Sequence, residues 1–177
     1  MNEIKKIPTF DELLKSSETR EEQNALNFLL NQNPPEKWVE IHPVYKNKYL
    51  SIEKIEFLLT KIFVEWKVEI KDVKMLANSV ICTVRLHFKN PLTNDWQYHD
   101  GVGASGLQVN SGAGAIDFNQ LKSNSVMLAA PIAESFAIKD AAEKIGRIFG
   151  KDLNRKNLQN YENLLKNQPL KPTIKNE

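Results

Sequence analysis

Trp96-Gln-Tyr-His-Asp-Gly-Val-Gly103 runs into Ala104-Ser-Gly-Leu-Gln-Val-Asn-Ser-Gly-Ala-Gly114, and Ala137-Ile-Lys-Asp-Ala-Ala-Glu-Lys-Ile-Gly-Arg-Ile-Phe-Gly150 follows downstream. The first stretch reads as a strand, and the second as a small-residue loop extending over residues 101–119. The third reads as a helix whose far end carries Lys144, Arg147, Lys151, Arg155 and Lys156. A strand, a glycine loop and a basic helix suit the binding of a polyanion better than acid–base chemistry.

Upstream of Trp96 the pattern is period two. Val64, Trp66, Val68 and Ile70 alternate with Glu65, Lys67 and Glu69, and Val80, Cys82, Val84, Leu86 and Phe88 alternate with Ile81, Thr83, Arg85 and His87. Asn90-Pro-Leu-Thr-Asn-Asp95 supplies hairpin-turn chemistry before the returning strand with Trp96 and Tyr98. Three strands with short connections predict an α+β fold in which an antiparallel, curved β meander packs on helices. One face is then covered, and the other carries Lys67, Arg85 and His87.

The flanks supply the helices. Thr9 is placed to cap a short helix, and Glu18–Asn31 reads as a second helix that ends at Asn33-Pro-Pro. Trp38 to Val44 reads as a short strand ending near Pro43, and Tyr45-Lys-Asn-Lys-Tyr49 as a polar turn with Lys46 and Lys48. Ser51 caps a helix through about Phe63, with Ile52, Ile55, Leu58, Leu59 and Ile62 at helical spacing and Lys54 and Lys61 on its polar face. Helical pattern resumes near Leu121, and Pro131 predicts a kink or a break. Beyond it, Ile138, Ala142, Ile145 and Phe149 form one stripe. Asp140, Lys144, Arg147 and Lys151 form the next, with Gly150 as C-cap. Leu158, Tyr161, Leu164 and Leu165 mark a last amphipathic segment before a flexible tail over residues 169–177. The division expected is an N-terminal helical arm (1–37), a core domain (38–154) and a C-terminal helix with tail (155–177).

Composition bounds the function. The chain has 177 residues, 41% hydrophobic and 26% charged, as one globular domain requires. No apolar run approaches a membrane span, and the first residues lack a signal-peptide core, so a cytoplasmic location is expected. The single cysteine, Cys82, falls in an apolar alternation and reads as core. Net charge is only +2, yet residues 1–38 hold five Lys/Arg against seven Asp/Glu, whereas residues 139–177 hold nine against five. An anion-binding face would therefore lie toward the C-terminus.

Gly101-Val-Gly-Ala-Ser-Gly106 matches G-x-G-x-x-G, but no helix opens within it and the sheet reads as antiparallel, so a loop for close backbone approach is expected instead of a dinucleotide site. No phosphate-binding G-x-x-x-x-G-K-[ST] string occurs, which argues against an ATP-driven motor. His42, His87 and His99 fall on different strands without metal spacing, so neither metal nor cofactor is expected. His99-Asp100 with the Gly101–Gly106 loop could form the centre of a small enzyme, though no local motif places a nucleophile there. A protein–protein adaptor without DNA affinity is the other alternative. Lys144, Arg147 and Lys151, three and four apart, would share a helical face suited to phosphates.

The order of Trp96-Gln-Tyr-His-Asp-Gly-Val-Gly-Ala-Ser105 and Ala137–Gly150 resembles the Rad-fifty-two-type single-strand annealing proteins, which include eukaryotic double-strand-break repair annealers and short bacteriophage recombinases of the Sak type. Tyr49-Leu-Ser-Ile-Glu-Lys-Ile55, with Phe63 and Trp66, is similar to the first helix of that family leading into its meander, so the likeness spans about Trp38 to Asn154. The resemblance implies a β-β-β-α core assembled into a homo-oligomeric ring. A basic groove around it holds single-stranded DNA by its backbone and leaves the bases free to pair, without ATP or a catalytic centre. By position, Lys54, Lys144 and Arg147 match groove residues, whereas Glu143 stands where eukaryotic members carry a basic residue. Lys46, Lys48, Lys67, Arg85, Lys151 and Arg155 complete the expected DNA-binding set, with Tyr45, Tyr49 and Trp66 as candidate aromatic supports. A phage exonuclease or a host single-strand-binding protein would be further partners.

Overall fold

In the computed structural model, which describes residues 10–63, 65–114 and 116–155, the period-two pattern is a three-stranded antiparallel sheet. Its strands are β3 (Trp66–Leu76), β4 (Ser79–Lys89) and β5 (Trp96–Gly106), with β4 central. All five inward residues of β4 (Val80, Cys82, Val84, Leu86 and Phe88) are buried, as the alternation predicted. The Asn90–Asp95 turn sets the register. The Asn90 side chain accepts from the Leu92 and Thr93 amides at 2.9 and 3.3 Å, and Asn94 takes the left-handed conformation (φ 60°) that asparagine tolerates. Lys89 therefore pairs with Trp96, His87 with Tyr98, Arg85 with Asp100, and Cys82 with Gly103. Strand β3 runs further than the alternation predicted, because a bulge between Ile70 and Asp72 lets pairing continue to Leu76.

The loop expected over residues 101–119 is corrected at its start: Gly101–Gly106 is the second half of β5. Helix α3 (Ser125–Glu143) lies against this half-strand, and its Ala129, Ala133, Ala137 and Ala141 are buried along one line. A methyl group on Gly101 would stand 2.1 Å from the Ala137 carbonyl oxygen, and one on Gly103 2.2 Å from that of Ala133. The glycines thus allow backbone-to-backbone packing of helix on strand. Pro131 neither breaks nor ends α3. The hydrogen bond it cannot donate would have gone to the carbonyl of Met127, an exposed residue that water reaches.

The C-terminal end of α3 brings a second correction. The helix stops at Glu143, Gly146 is extended (φ 177°), and a 3-10 turn covers Arg147–Phe149. Continuation is blocked because Gly146 seats against the end of α1 (Phe10–Leu30), where an added methyl would meet the Leu30 carbonyl oxygen at 2.4 Å. Phe149 instead turns into the core and stacks on Phe63 at 6.4 Å. Gly150 (φ 104°) does cap, but it caps this short turn. Lys144, Arg147 and Lys151 accordingly do not share one helical face.

Toward the N-terminus, α1 is a single helix where two were expected. The strand expected from Trp38 is a 3-10 turn (Glu36–Trp38) followed by a short ladder of β1 (Glu40–Ile41) with β2 (Lys48–Tyr49). Pro43 lacks the amide a longer strand needs, and His42 Nδ1 instead accepts from the Val44 and Tyr45 amides, both at 3.2 Å. Helix α2 (Ile52–Phe63) forms over the predicted residues and buries Ile55, Leu58, Leu59 and Phe63, but Ser51 starts it through its carbonyl and not through a hydroxyl cap. The cap at Thr9, the strand start at Val64, the segment with Leu158 to Leu165 and the 169–177 tail lie outside the described residues. Among the described residues no helix is long and apolar enough to cross a membrane.

Candidate nucleic-acid interface

The two sequence segments that carry the family resemblance interlock. Because α3 lies on β5, Asp140 Oδ2 accepts a hydrogen bond from the Val102 amide at 3.0 Å. Lys144 Nζ donates to the same carboxylate at 2.9 Å and to the Asp100 carbonyl oxygen at 2.5 Å. Asp140 and Lys144 therefore fasten the helix end to an edge-strand backbone that lacks a ladder partner.

Five of the nine expected DNA-binding cations already face an acid. Lys54 binds Glu40 and the Trp38 carbonyl oxygen, and Tyr49 donates to the other Glu40 oxygen at 2.9 Å. The ammonium of Lys54, followed by the Tyr49 hydroxyl, holds the Glu40 carboxyl below the usual carboxylate range. Arg85 grips Asp100 with two bonds of 2.7 and 2.8 Å. Lys144 pairs with Asp140, while Arg147 and Arg155 converge on Asp152 at 3.8 and 3.1 Å. Lys46, Lys48, Lys67 and Lys151 have no acid in ion-pair range among the described residues.

Two of these unpaired lysines meet. Lys48 and Lys151, more than a hundred residues apart, line one cleft of about 500 Å³ with Asn33, Pro34, Val39, Ile41 and Leu153, and with Glu36 and Asp152 at its wall. The Asn154 side chain fixes the arrangement, accepting from the Lys48 amide at 2.7 Å and donating to its carbonyl oxygen at 2.8 Å. Lys46 is exposed on the adjoining turn, held at φ 57°. Sequence spacing groups Lys151 with Lys144 and Arg147, whereas the fold moves it to Lys48.

Lys67 and Arg85 lie elsewhere, on the sheet face away from α3. There Lys67 Nζ sits 5.2 Å from the Trp96 ring centroid, and the Arg85 guanidinium 4.0 Å from that of Tyr98. Sequence reasoning does not single out Trp96 and Tyr98, the exposed rings that meet these two cations. The outward phase of β4, carried across the Asn90–Asp95 hairpin, is the signal that could have placed them. The three aromatics it does select divide. Tyr45 is exposed, Tyr49 is engaged with Glu40, and Trp66 donates to Thr60 Oγ1 at 3.0 Å at the edge of the core.

His99 and Asp100, the pair of the enzyme alternative, face opposite sides of the sheet, as neighbours in a strand do. His99 points inward beside Phe88, and burial pushes its imidazole pKa down, with Lys144 adding to the effect. Asp100 points outward, and Arg85 holds its carboxyl below the usual range. The glycine positions beside them are filled by the backbone of α3. Cys82 is buried core, as expected, and its thiol pKa is raised by burial.

The class these features define is an α+β domain with a three-stranded antiparallel sheet, one helix across its inner face and separate cation sets at the cleft and on the outer face. No protein-family model matches the chain, and no curated protein matches it.

Proposed function

We propose that this protein binds single-stranded DNA and anneals complementary strands without ATP, working as an assembly of its own copies. The observation that carries this reading is the interlock of the two resemblance segments. Residues 98–103 and 140–150, widely separated in sequence, are joined through Asp140, Lys144 and the contact of Gly101 with Ala141. Those residue types then have a common structural reason to occur together. Lys46, Lys48 and Lys151, with no acid in ion-pair range among the described residues, supply the backbone contacts, and base pairing supplies the driving force.

Self-association is supported by what α3 leaves bare. The helix packs on β5 and β4, so among the described residues no element packs closely on the inner side of the far half of β3. Val73 and Met75, opposite Cys82 and Val80, are 52% and 47% exposed on a strand whose outer edge is unpaired. Val126, Met127, Leu128, Ile132 and Phe136 of α3 add further exposed apolar surface. Apolar surface beside an open edge strand is the usual mark of a protein contact, and a closed ring is the proposed form.

The test mixes two complementary labelled oligonucleotides with the protein, without ATP or metal, and follows duplex formation. Acceleration over a protein-free control is expected, and its absence refutes annealing. Light scattering under the same conditions is expected to show oligomers, and a monomer would refute the assembly.

A further inference from the structure

The sheet face turned away from α3 has a composition that neither the core nor the lysine cleft explains. From the β3–β4–β5 register, cross-strand rows run Lys89–Trp96, Lys67–His87–Tyr98 and Glu69–Arg85–Asp100. No described element packs over these rows, and Trp96 and Tyr98 remain 48% and 54% exposed. Adjacent exposed aromatics rimmed by polar residues are a mark of a binding surface. Here both lie on one strand at positions i and i+2, about 6.8 Å apart along it. That is twice the ~3.4 Å step between stacked bases, so successive bases of an extended single strand can reach both.

The cations are arranged to match. Arg85 is locked by its two bonds to Asp100, with its guanidinium 4.0 Å from the Tyr98 ring centroid. Lys67, without an acid partner, stands 5.2 Å from the Trp96 ring centroid, within reach of a phosphate that accompanies a base stacked there. The acids on the outer face of the sheet (Glu65, Glu69, Asp72 and Asp100) are engaged by Lys89, by Lys71 with His87, by Lys74 and by Arg85. Lys67, beside the Trp96 ring, is left without an acid in ion-pair range among the described residues.

We propose that this face is a nucleobase-stacking platform, on which Trp96 and Tyr98 each take one base of a single strand while Lys67 contacts its backbone. It is a second surface, separate from the Lys48–Lys151 cleft, and it rests on the reading above for the identity of its ligand. Stacking is indifferent to sequence because every base presents a π-face, which suits a protein that must hold any strand.

The experiment compares two single strands of equal length, an oligo(dT) and its fully abasic counterpart, which keeps the phosphates and lacks the bases. Binding of both is measured for the wild type, W96L, Y98L, and K48A with K151A. For the wild type, oligo(dT) is expected to bind more tightly than the abasic strand. Each aromatic substitution should weaken oligo(dT) by about 5- to 150-fold and leave the abasic strand and the salt slope unchanged. The lysine pair should weaken both strands equally. The ratio between strands is insensitive to partial unfolding, so a poorly folded variant still reports. Equal loss on both strands, or no loss on oligo(dT), overturns the platform while strand binding itself stands. Loss of self-association in W96L with an unchanged ratio also overturns it, by making the face a protein contact. If the wild type binds neither strand, the proposed function fails and the platform with it.

Discussion

Replacing Gly103 with alanine tests the contact on which the fold and the interlock both depend. The added methyl would stand 2.2 Å from the Ala133 carbonyl oxygen and 2.3 Å from the Ala137 amide nitrogen, both backbone atoms of α3 that cannot swing aside. Ordinary contact begins near 3.4 Å, so the helix would have to retreat by roughly 1.2 Å. That gap would run along Ala129, Ala133, Ala137 and Ala141 together, and a separation of even ~0.5–1 Å forfeits a quarter to a half of the dispersion energy at each contact. Overpacking against a rigid backbone belongs at the upper end of the usual range, about 3 kcal/mol. For a domain of this size the melting temperature should fall by roughly 6–12 °C. Gly106→Ala is the internal control, since nothing lies within 4 Å of its added methyl, and it should be neutral or slightly stabilising. Thermal and urea unfolding followed by circular dichroism measure both variants. Gly103→Ala melting within roughly 2 °C of the wild type would show that α3 does not press on β5.

His99 should give stability a pH dependence. Burial lowers its folded-state pKa below 6.5, so the unfolded chain binds the proton first and stability falls as pH drops below about 6.5, levelling off below the folded value. His99→Gln should remove that part of the slope in urea titrations between pH 7 and 5, and an unchanged slope would show that His99 is not its source. Lys54→Met should lower the melting temperature by a few degrees even without DNA, because it leaves Glu40 and the Trp38 carbonyl oxygen without their cation. A loss of strand binding with unchanged melting would return Lys54 to a purely ligand-facing role. Lys48→Ala with Lys151→Ala should flatten the salt dependence of strand binding by about 1.4, or ~0.7 for each phosphate no longer neutralised. An unchanged slope would remove the cleft from the interface.

The sheet was legible because β4 is buried on one face along its whole length, so every second residue from Val80 to Phe88 is apolar. The Asn90–Asp95 turn was legible through residue types whose side chains bond their own backbone. The second half of β5 was not, because glycine lacks the side chain that writes a period, and its presence there answers to a helix some thirty residues downstream. The C-terminal end of α3 misled for a related reason. Residues 144–151 keep helical spacing, but Gly146 meets Leu30 of α1, a contact no local pattern records. Charges were found and their partners were not. Lys54 with Glu40, Arg85 with Asp100 and Arg147 with Asp152 depend on register and on turn geometry, so paired and unpaired cations look alike in sequence.

That distinction bears on how a chain of net charge +2 could hold a polyanion. A cation already facing a carboxylate must trade that contact for a phosphate, so Lys144, bonded to Asp140, and Arg147, 3.8 Å from Asp152, offer less net attraction than their charges imply. Lys144 has a further tie to the Asp100 carbonyl oxygen, and releasing it would loosen the helix from the strand. Of the nine cations expected at the interface, those without an acid in ion-pair range among the described residues are Lys46, Lys48 and Lys151 near the cleft and Lys67 on the outer face. At ~0.7 per phosphate, such a set gives one copy only a shallow salt dependence and weak binding. Useful affinity then requires either many copies on one strand or a contribution that is not electrostatic. The bare inner side of β3 offers the first, and the Trp96–Tyr98 face offers the second. In the proposed annealing, phosphate contacts multiplied by assembly would grip any strand, and stacking would hold a few bases splayed for pairing. At about 1–3 kcal/mol per base the proposed platform rivals the ~1.4 kcal/mol of a base-pair step, so with only two rings per copy pairing would start at bases the rings do not hold.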